Sequence, residues 1–92
     1  RVIGYLDMYD SGEKDEKVIA VVDADPRFDD LHDITDMKEI QLREIKLFFE
    51  TYKVLEPGHH ISVLDYYHKD DAIKLIERCQ KRYVDHIRSK LE

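Results

Sequence analysis

The 92-residue chain has one cysteine, Cys79, so no disulfide can form within it, and a reducing compartment, the cytoplasm, is its expected location. No apolar run approaches the roughly 20 residues that a membrane-spanning helix needs, so no membrane partner is expected. No signal-peptide pattern is present. The chain also lacks a basic excess. Its net charge of −6 argues against nucleic acid, whose phosphates call for neutralisation by Lys and Arg. No internal repeat and no low-complexity segment interrupts it.

What is present suits one small domain with a modest core. Hydrophobic residues make up 42% of the chain and charged residues 39%, which leaves a heavily hydrated surface. The charge is uneven. Between Asp7 and Asp36 eleven acids meet three bases, and the rest of the chain is slightly basic. An acidic block of that density is either solvated surface or a place where cations are held.

Residues 2–10 and 17–23 read as strands joined by Ser11-Gly12-Glu13-Lys14-Asp15-Glu16, a polar linker suited to a hairpin with a longer loop. Lys17-Val18-Ile19-Ala20-Val21-Val22 is nearly all apolar and predicts a strand buried on both faces. Residues 23–36 form a loop. A helix is expected to begin near Asp36, with Asp36 and Glu39 spaced as in a capping box, and to end before Pro57-Gly58. Leu42, Ile45, Phe49 and Tyr52 define its buried face. Ile61–Leu64 is a short strand candidate. A final helix capped by Asp70 or Asp71 buries a stripe of Ala72, Ile76, Cys79, Tyr83, Ile87 and Leu91. The chain opens on Arg1 and is in strand pattern by Val2, so a preceding segment is expected.

The segment with the most chemistry is Asp10-Ser11-Gly12-Glu13-Lys14-Asp15-Glu16-Lys17. A hairpin brings Asp10, Asp15 and Lys17 together, and Asp15 and Lys17 share a face if their segment is extended. Two carboxylates suit Mg²⁺, which takes one or two of them beside waters and phosphate oxygens. A charged hairpin tip in solvent satisfies the same pattern. A second feature is Phe48-Phe49-Glu50-Thr51-Tyr52-Lys53. Here a tyrosine hydroxyl in need of a partner precedes a lysine that the helix C-terminus favours.

These blocks resemble those of family I soluble inorganic pyrophosphatases. Asp10 to Val21 is similar to the family's D-x-G-E-x-D-x-K-hydrophobic-A-V block, and Phe48 to Lys53 to its F-F-E-x-Y-K helix end. Asp33-Ile34-Thr35-Asp36 resembles the D-I-x-D stretch that leads into the helix. The resemblance implies Mg²⁺-dependent hydrolysis of pyrophosphate to two phosphates. Asp10 and Asp15 would be metal ligands, and Lys17, Tyr52 and Lys53 would bind the phosphates of the substrate. It also implies an α+β fold, with a partial OB-like barrel of a hairpin and a short strand and two main helices outside it, and a homo-oligomer. Residues 1–92 would be the C-terminal portion of one such domain, inactive alone and partnered with the missing N-terminal half. The alternative is a non-catalytic fragment that binds phosphate or Mg²⁺, or that self-assembles.

The family's D-x-D-P-x-D signature is absent. Asp23-Ala24-Asp25-Pro26-Arg27-Phe28 starts like it, but Phe28 stands where its last Asp belongs, so this is expected to be an ordinary loop. An EF-hand loop would need glycine where Asp15 lies. His59-His60 lacks partners at zinc spacing and reads as loop, and Cys79 reads as core.

Overall fold

A computed structural model describes residues 1–52, 56–58 and 60–91. Strand β1 (Val2–Asp10) is the axis of an antiparallel sheet. One edge of β1 pairs with β2 (Glu13–Lys14) and β3 (Lys17–Ala20), and the other with β4 (Ile61–His68). Two helices complete the α+β arrangement, α1 (Glu39–Thr51) and α2 (Lys69–Leu91).

The turn from β1 to β2 is Ser11-Gly12, with φ of 53° and 83°. Positive φ at both central residues is the geometry whose twist matches flanking strands, and glycine adopts it without steric cost. The expected long linker is therefore a tight turn followed by paired strand. The register from Tyr9↔Lys14 to Leu6↔Lys17 runs on without a slip, so Asp15 sits opposite Met8 and donates its N–H to the Met8 carbonyl at 2.9 Å.

β3 differs from expectation. It stops at Ala20 and is half-exposed, because it is the sheet edge and pairs only with β1 among the described residues. Its apolar composition alone does not reveal whether a second sheet face is covered. β4 is longer than expected. It runs to His68 because Leu64 and Asp65 together face the single residue Asp7, a bulge that absorbs the polar Asp65 without ending the ladder.

Asp36 does not start α1. Its carboxylate looks back, accepting the N–H groups of His32 and Asp33 at 2.9 Å each, and it closes a short 3₁₀ turn over Ile34–Asp36. Met37 and Lys38 are extended, and the Lys38 N–H is taken by Gln41 Oε1 at 3.0 Å. α1 then leans on β4, where the Tyr66 hydroxyl donates to the Leu42 carbonyl at 2.6 Å. Leu42, Ile45 and Phe49 are half-buried, as the stripe predicts, whereas Tyr52 is 42% exposed rather than buried.

The buried apolar residues are Ile3, Leu6, Met8, Ile34, Ala72 and Leu75. Of the stripe expected on α2, Ala72 is buried and Ile76 half-buried, but Cys79, Tyr83, Ile87 and Leu91 are exposed. The reason is reach: a helix of 23 residues is about 34 Å long, and its buried residues, Ala72 and Leu75, both lie in its first two turns. The sheet is open, so the expected barrel is not closed within these residues. Among the described residues no helix is long and apolar enough to cross a membrane.

Candidate active site

Alternation along the hairpin sorts its charged residues onto two faces. The shared register places Asp10, Glu13, Asp15 and Lys17 on the front and Asp7, Tyr9, Lys14 and Glu16 on the rear. α1 stands over the front. The Lys17 ammonium lies 5.7 Å from the Phe49 ring centroid, and Tyr52 stacks on Phe48 with centroids 5.5 Å apart. Between hairpin and helix end lies an open cleft of about 560 Å³, lined by Asp10, Ser11, Glu13, Lys14, Asp15, Lys17 and Tyr52.

Asp10, Asp15, Lys17 and Tyr52 therefore meet in one cleft, while Lys53 lies outside the described residues, as does His59. Lys17 Nζ sits 2.9 Å from Asp15 Oδ1, and Asp10 accepts a hydrogen bond from Ser11 Oγ at 3.2 Å. Both Asp15 and Lys17 keep about a quarter to a third of their side chains in solvent, so the pair is reachable. The exposure of Tyr52 acquires a meaning here, since its ring forms a wall of the cleft instead of filling a core.

Other sequence expectations fall into place as structure. Asp25 accepts the Arg27 N–H and pairs with its guanidinium at 2.6 Å, capping a 3₁₀ turn over Pro26–Phe28 outside the cleft lining. The side chain of Arg27 beside it holds the Asp25 carboxyl below its ordinary range.

Two acids have structural roles that the sequence did not assign: Asp7, which drew no notice there, and Asp33, noted only as part of the D-I-x-D stretch. Asp7 is only 7% exposed and pairs with Lys14 at 3.0 Å, which pushes the lysine above its usual range. The available signal was its position, an acid in the middle of an apolar strand. Asp33 is the other. Burial opposes its ionisation, yet the Lys69 N–H, the His68 ring, and the N–H and hydroxyl of Thr35 outweigh that and hold its carboxyl well below the usual range. In return Asp33 raises His68. Nothing in the local sequence announced a bond across 36 residues.

Comparison with known proteins decides the family. The inorganic pyrophosphatase family matches residues 1–84. The chain belongs to that family. It is 47% identical over 83 residues to the inorganic pyrophosphatase of Geobacillus stearothermophilus, covering 90% of this chain and 50% of that protein. The crystal structure of the Thermus thermophilus inorganic pyrophosphatase superposes with a TM-score of 0.85 at 41% identity, over 90% of this chain and 49% of that one. The Helicobacter pylori inorganic pyrophosphatase gives 0.83 at 40% identity, over 90% and 50%. The chain thus spans about half the length of the relatives it matches.

Proposed function

We propose that this chain carries the C-terminal share of an active site that hydrolyses inorganic pyrophosphate to two phosphates with Mg²⁺, in an oligomeric enzyme of a reducing, cytoplasmic setting. The observation that carries this reading is the convergence of Asp10, Asp15 and Lys17 from one strand face with Tyr52 from a helix end. Family membership of nearly the whole chain supports it. The OB-like barrel belongs to this proposal too, as the form the open sheet takes when the remaining strands of the domain join its free edges.

The residues present fit a share of the metal's ligands. Two carboxylates line one cleft, the hard oxygen donors that Mg²⁺ takes in ones and twos beside waters and phosphates. Among the described residues no cluster of three His, Cys, Asp or Glu could hold a metal alone. Asp10 and Asp15 would hold the ion. When bound, Mg²⁺ supplies a water of lowered pKa and offsets phosphate charge.

The chain's own groups do the rest by position and charge, as phosphoryl transfer requires. Lys17 exchanges its Asp15 partner for a phosphate oxygen and stays close, because Phe49 borders its ammonium. The Tyr52 hydroxyl donates to a second oxygen, and Lys53 adds a cation. All three offset charge on the departing phosphate.

Phosphate release from pyrophosphate with Mg²⁺ tests this. The chain alone should stay at background, and adding the remaining half of the Geobacillus stearothermophilus relative should restore turnover. Asp15→Asn should then lower the rate by about 10²-fold or more, the scale of a lost electrostatic contact in the transition state. Unchanged turnover in that variant counts against the role of Asp15.

A second reading is a non-catalytic assembly module. It is favoured by the apolar surface left open on both helices, including Phe48, Tyr83 and Leu91. Failure to gain activity from any added half, together with stable self-association, would support it.

A further inference from the structure

The hairpin that presents Asp10 and Asp15 carries Asp7, Tyr9 and Lys14 on its rear face, groups to which the proposed reaction gives no part, although Lys14 also borders the cleft. β2 has two residues, both exposed, and two ladder pairs with β1. Asp15 and Glu16 follow it outside any strand. So short a stretch of backbone pairing is marginal in water by itself. The Ser11 N–H bonds to the His60 carbonyl at 2.8 Å and ties down the turn itself, and side chains add to what holds β2.

On the rear face the Lys14 ammonium reaches Asp7 Oδ1 at 3.0 Å and lies 4.7 Å from the centroid of the Tyr9 ring. Lys14 stands directly opposite Tyr9 and diagonal to Asp7, the spacing at which cross-strand side chains interact. Among the described residues no other group hydrogen-bonds or ion-pairs with the Asp7 carboxylate, which is nearly buried. The register also sets Glu16 opposite Asp7 on the same face. Without Lys14, two acids would face each other across the strands, one of them buried and uncompensated.

We propose that Lys14 is a positioning residue: gripping Asp7 and the Tyr9 ring on the rear face, it holds β2 against β1 and thereby keeps Asp10 and Asp15 aimed into the cleft on the front. This deepens the reading of those two carboxylates as metal-holding. The clamp itself is a property of the hairpin and is judged separately.

Amide hydrogen exchange by NMR on the whole chain tests the clamp in the wild type, Lys14→Met and Lys14→Arg. The Asp15 N–H, bonded to the Met8 carbonyl, reports the tip, and amides of the β1–β4 ladder report the rest of the sheet. Lys14→Met should speed exchange at Asp15 by about tenfold or more relative to that ladder, a local opening. Lys14→Arg should restore protection. Unchanged protection at Asp15 overturns the proposal, and so does a loss spread evenly over the ladder.

Mn²⁺ titration followed by electron paramagnetic resonance reads the front face. By charge alone, deleting a cation beside two carboxylates tightens metal binding. Displaced carboxylates weaken it, so a weakening of about threefold or more in Lys14→Met, with recovery in Lys14→Arg, is expected. Equal or tighter binding overturns the positioning role. A wild-type chain that takes up no Mn²⁺ sinks the metal-holding reading of Asp10 and Asp15, and the exchange data alone then decide the clamp.

Discussion

Gly4 sits where the backbone of β1 leaves no room for a side chain. A Cβ there would collide with the Tyr67 carbonyl oxygen across the ladder and stand 2.8 Å from Ile34 Cβ. Ile34 is core, and the carbonyl is backbone, so neither can retreat cheaply. Gly4→Ala should destabilise the chain by about 1–3 kcal/mol, the cost of overpacking a filled interior. Thermal or urea unfolding checks this, and a variant as stable as the wild type would mean that the strand and turn separate freely. The same scale shows where sequence suffices. Asp15 and Lys17 were assigned to one face from their spacing of two, and the ladder puts them there at 2.9 Å from each other. Tyr52 was assigned to a buried face from its helical spacing, and it lines the cleft instead. Periodicity locates a face; whether anything covers that face at its last residue is decided elsewhere in the fold.

The junction of β4 and α2 is an element held by a distant residue. Asp33 accepts the N–H of Lys69, the first residue of α2, at 2.8 Å, while His68 Nδ1 lies 2.8 Å from its other oxygen. Asp71 reaches back toward the His68 N–H at 3.3 Å. One carboxylate thus caps a long helix and pins the 3₁₀ turn over Ile34–Asp36 to it. Asp33→Ala should cost about 1–2 kcal/mol, the upper part of the range for a lost helix cap. The junction is also pH-dependent. Asp33 is depressed, so its contribution is present above the ordinary carboxylate range and is lost as pH falls through the lowered value. His68 is raised by Asp33, with Asp71 and Asp70 adding to it, so its contribution is complete below the unfolded value and is lost as pH rises through the raised one. The junction is therefore strongest between about pH 4 and 6.5. The melting temperature of the wild type should fall from pH 6 to pH 8.5 by more than that of His68→Gln. Parallel pH profiles for the two proteins would remove His68 from this account.

At the scale of the molecule the chain is flat and spread out. Its radius of gyration is 15.6 Å and its extents are 47 × 36 × 20 Å, against a radius of about 12 Å for a compact chain of this length. The core is small, and large apolar side chains such as Ile40, Leu47, Phe48, Val84 and Leu91 face outward on both helices. Leu91 is 83% exposed at the end of α2. Where such side chains form a contiguous patch, they mark contacts with other protein. Sedimentation equilibrium of the isolated chain should show mass rising with concentration, and the remaining half of a relative should suppress that rise. A single monomeric species throughout, with no binding of an apolar dye, would mean that the exposed faces are tolerated in water.

The sequence by itself determined the elements whose causes are local: the hairpin with its Asp10, Asp15 and Lys17, the two helices, and the blocks that mark an inorganic pyrophosphatase. Each rests on spacing within a few residues, where strand and helix periods act directly. It misplaced the start of α1 and the burial of Tyr52 and Cys79, and it gave Asp7 and Asp33 no role. Only the tertiary structure decided those. A carboxylate such as Asp36 can serve the turn behind it or the helix ahead. A strand such as β3 can lie inside a sheet or at its edge, and an acid at position 7 can be solvated or clamped by Lys14. Local propensity is the same in each case, and the choice belongs to residues far away in the chain that arrive only when the sheet forms.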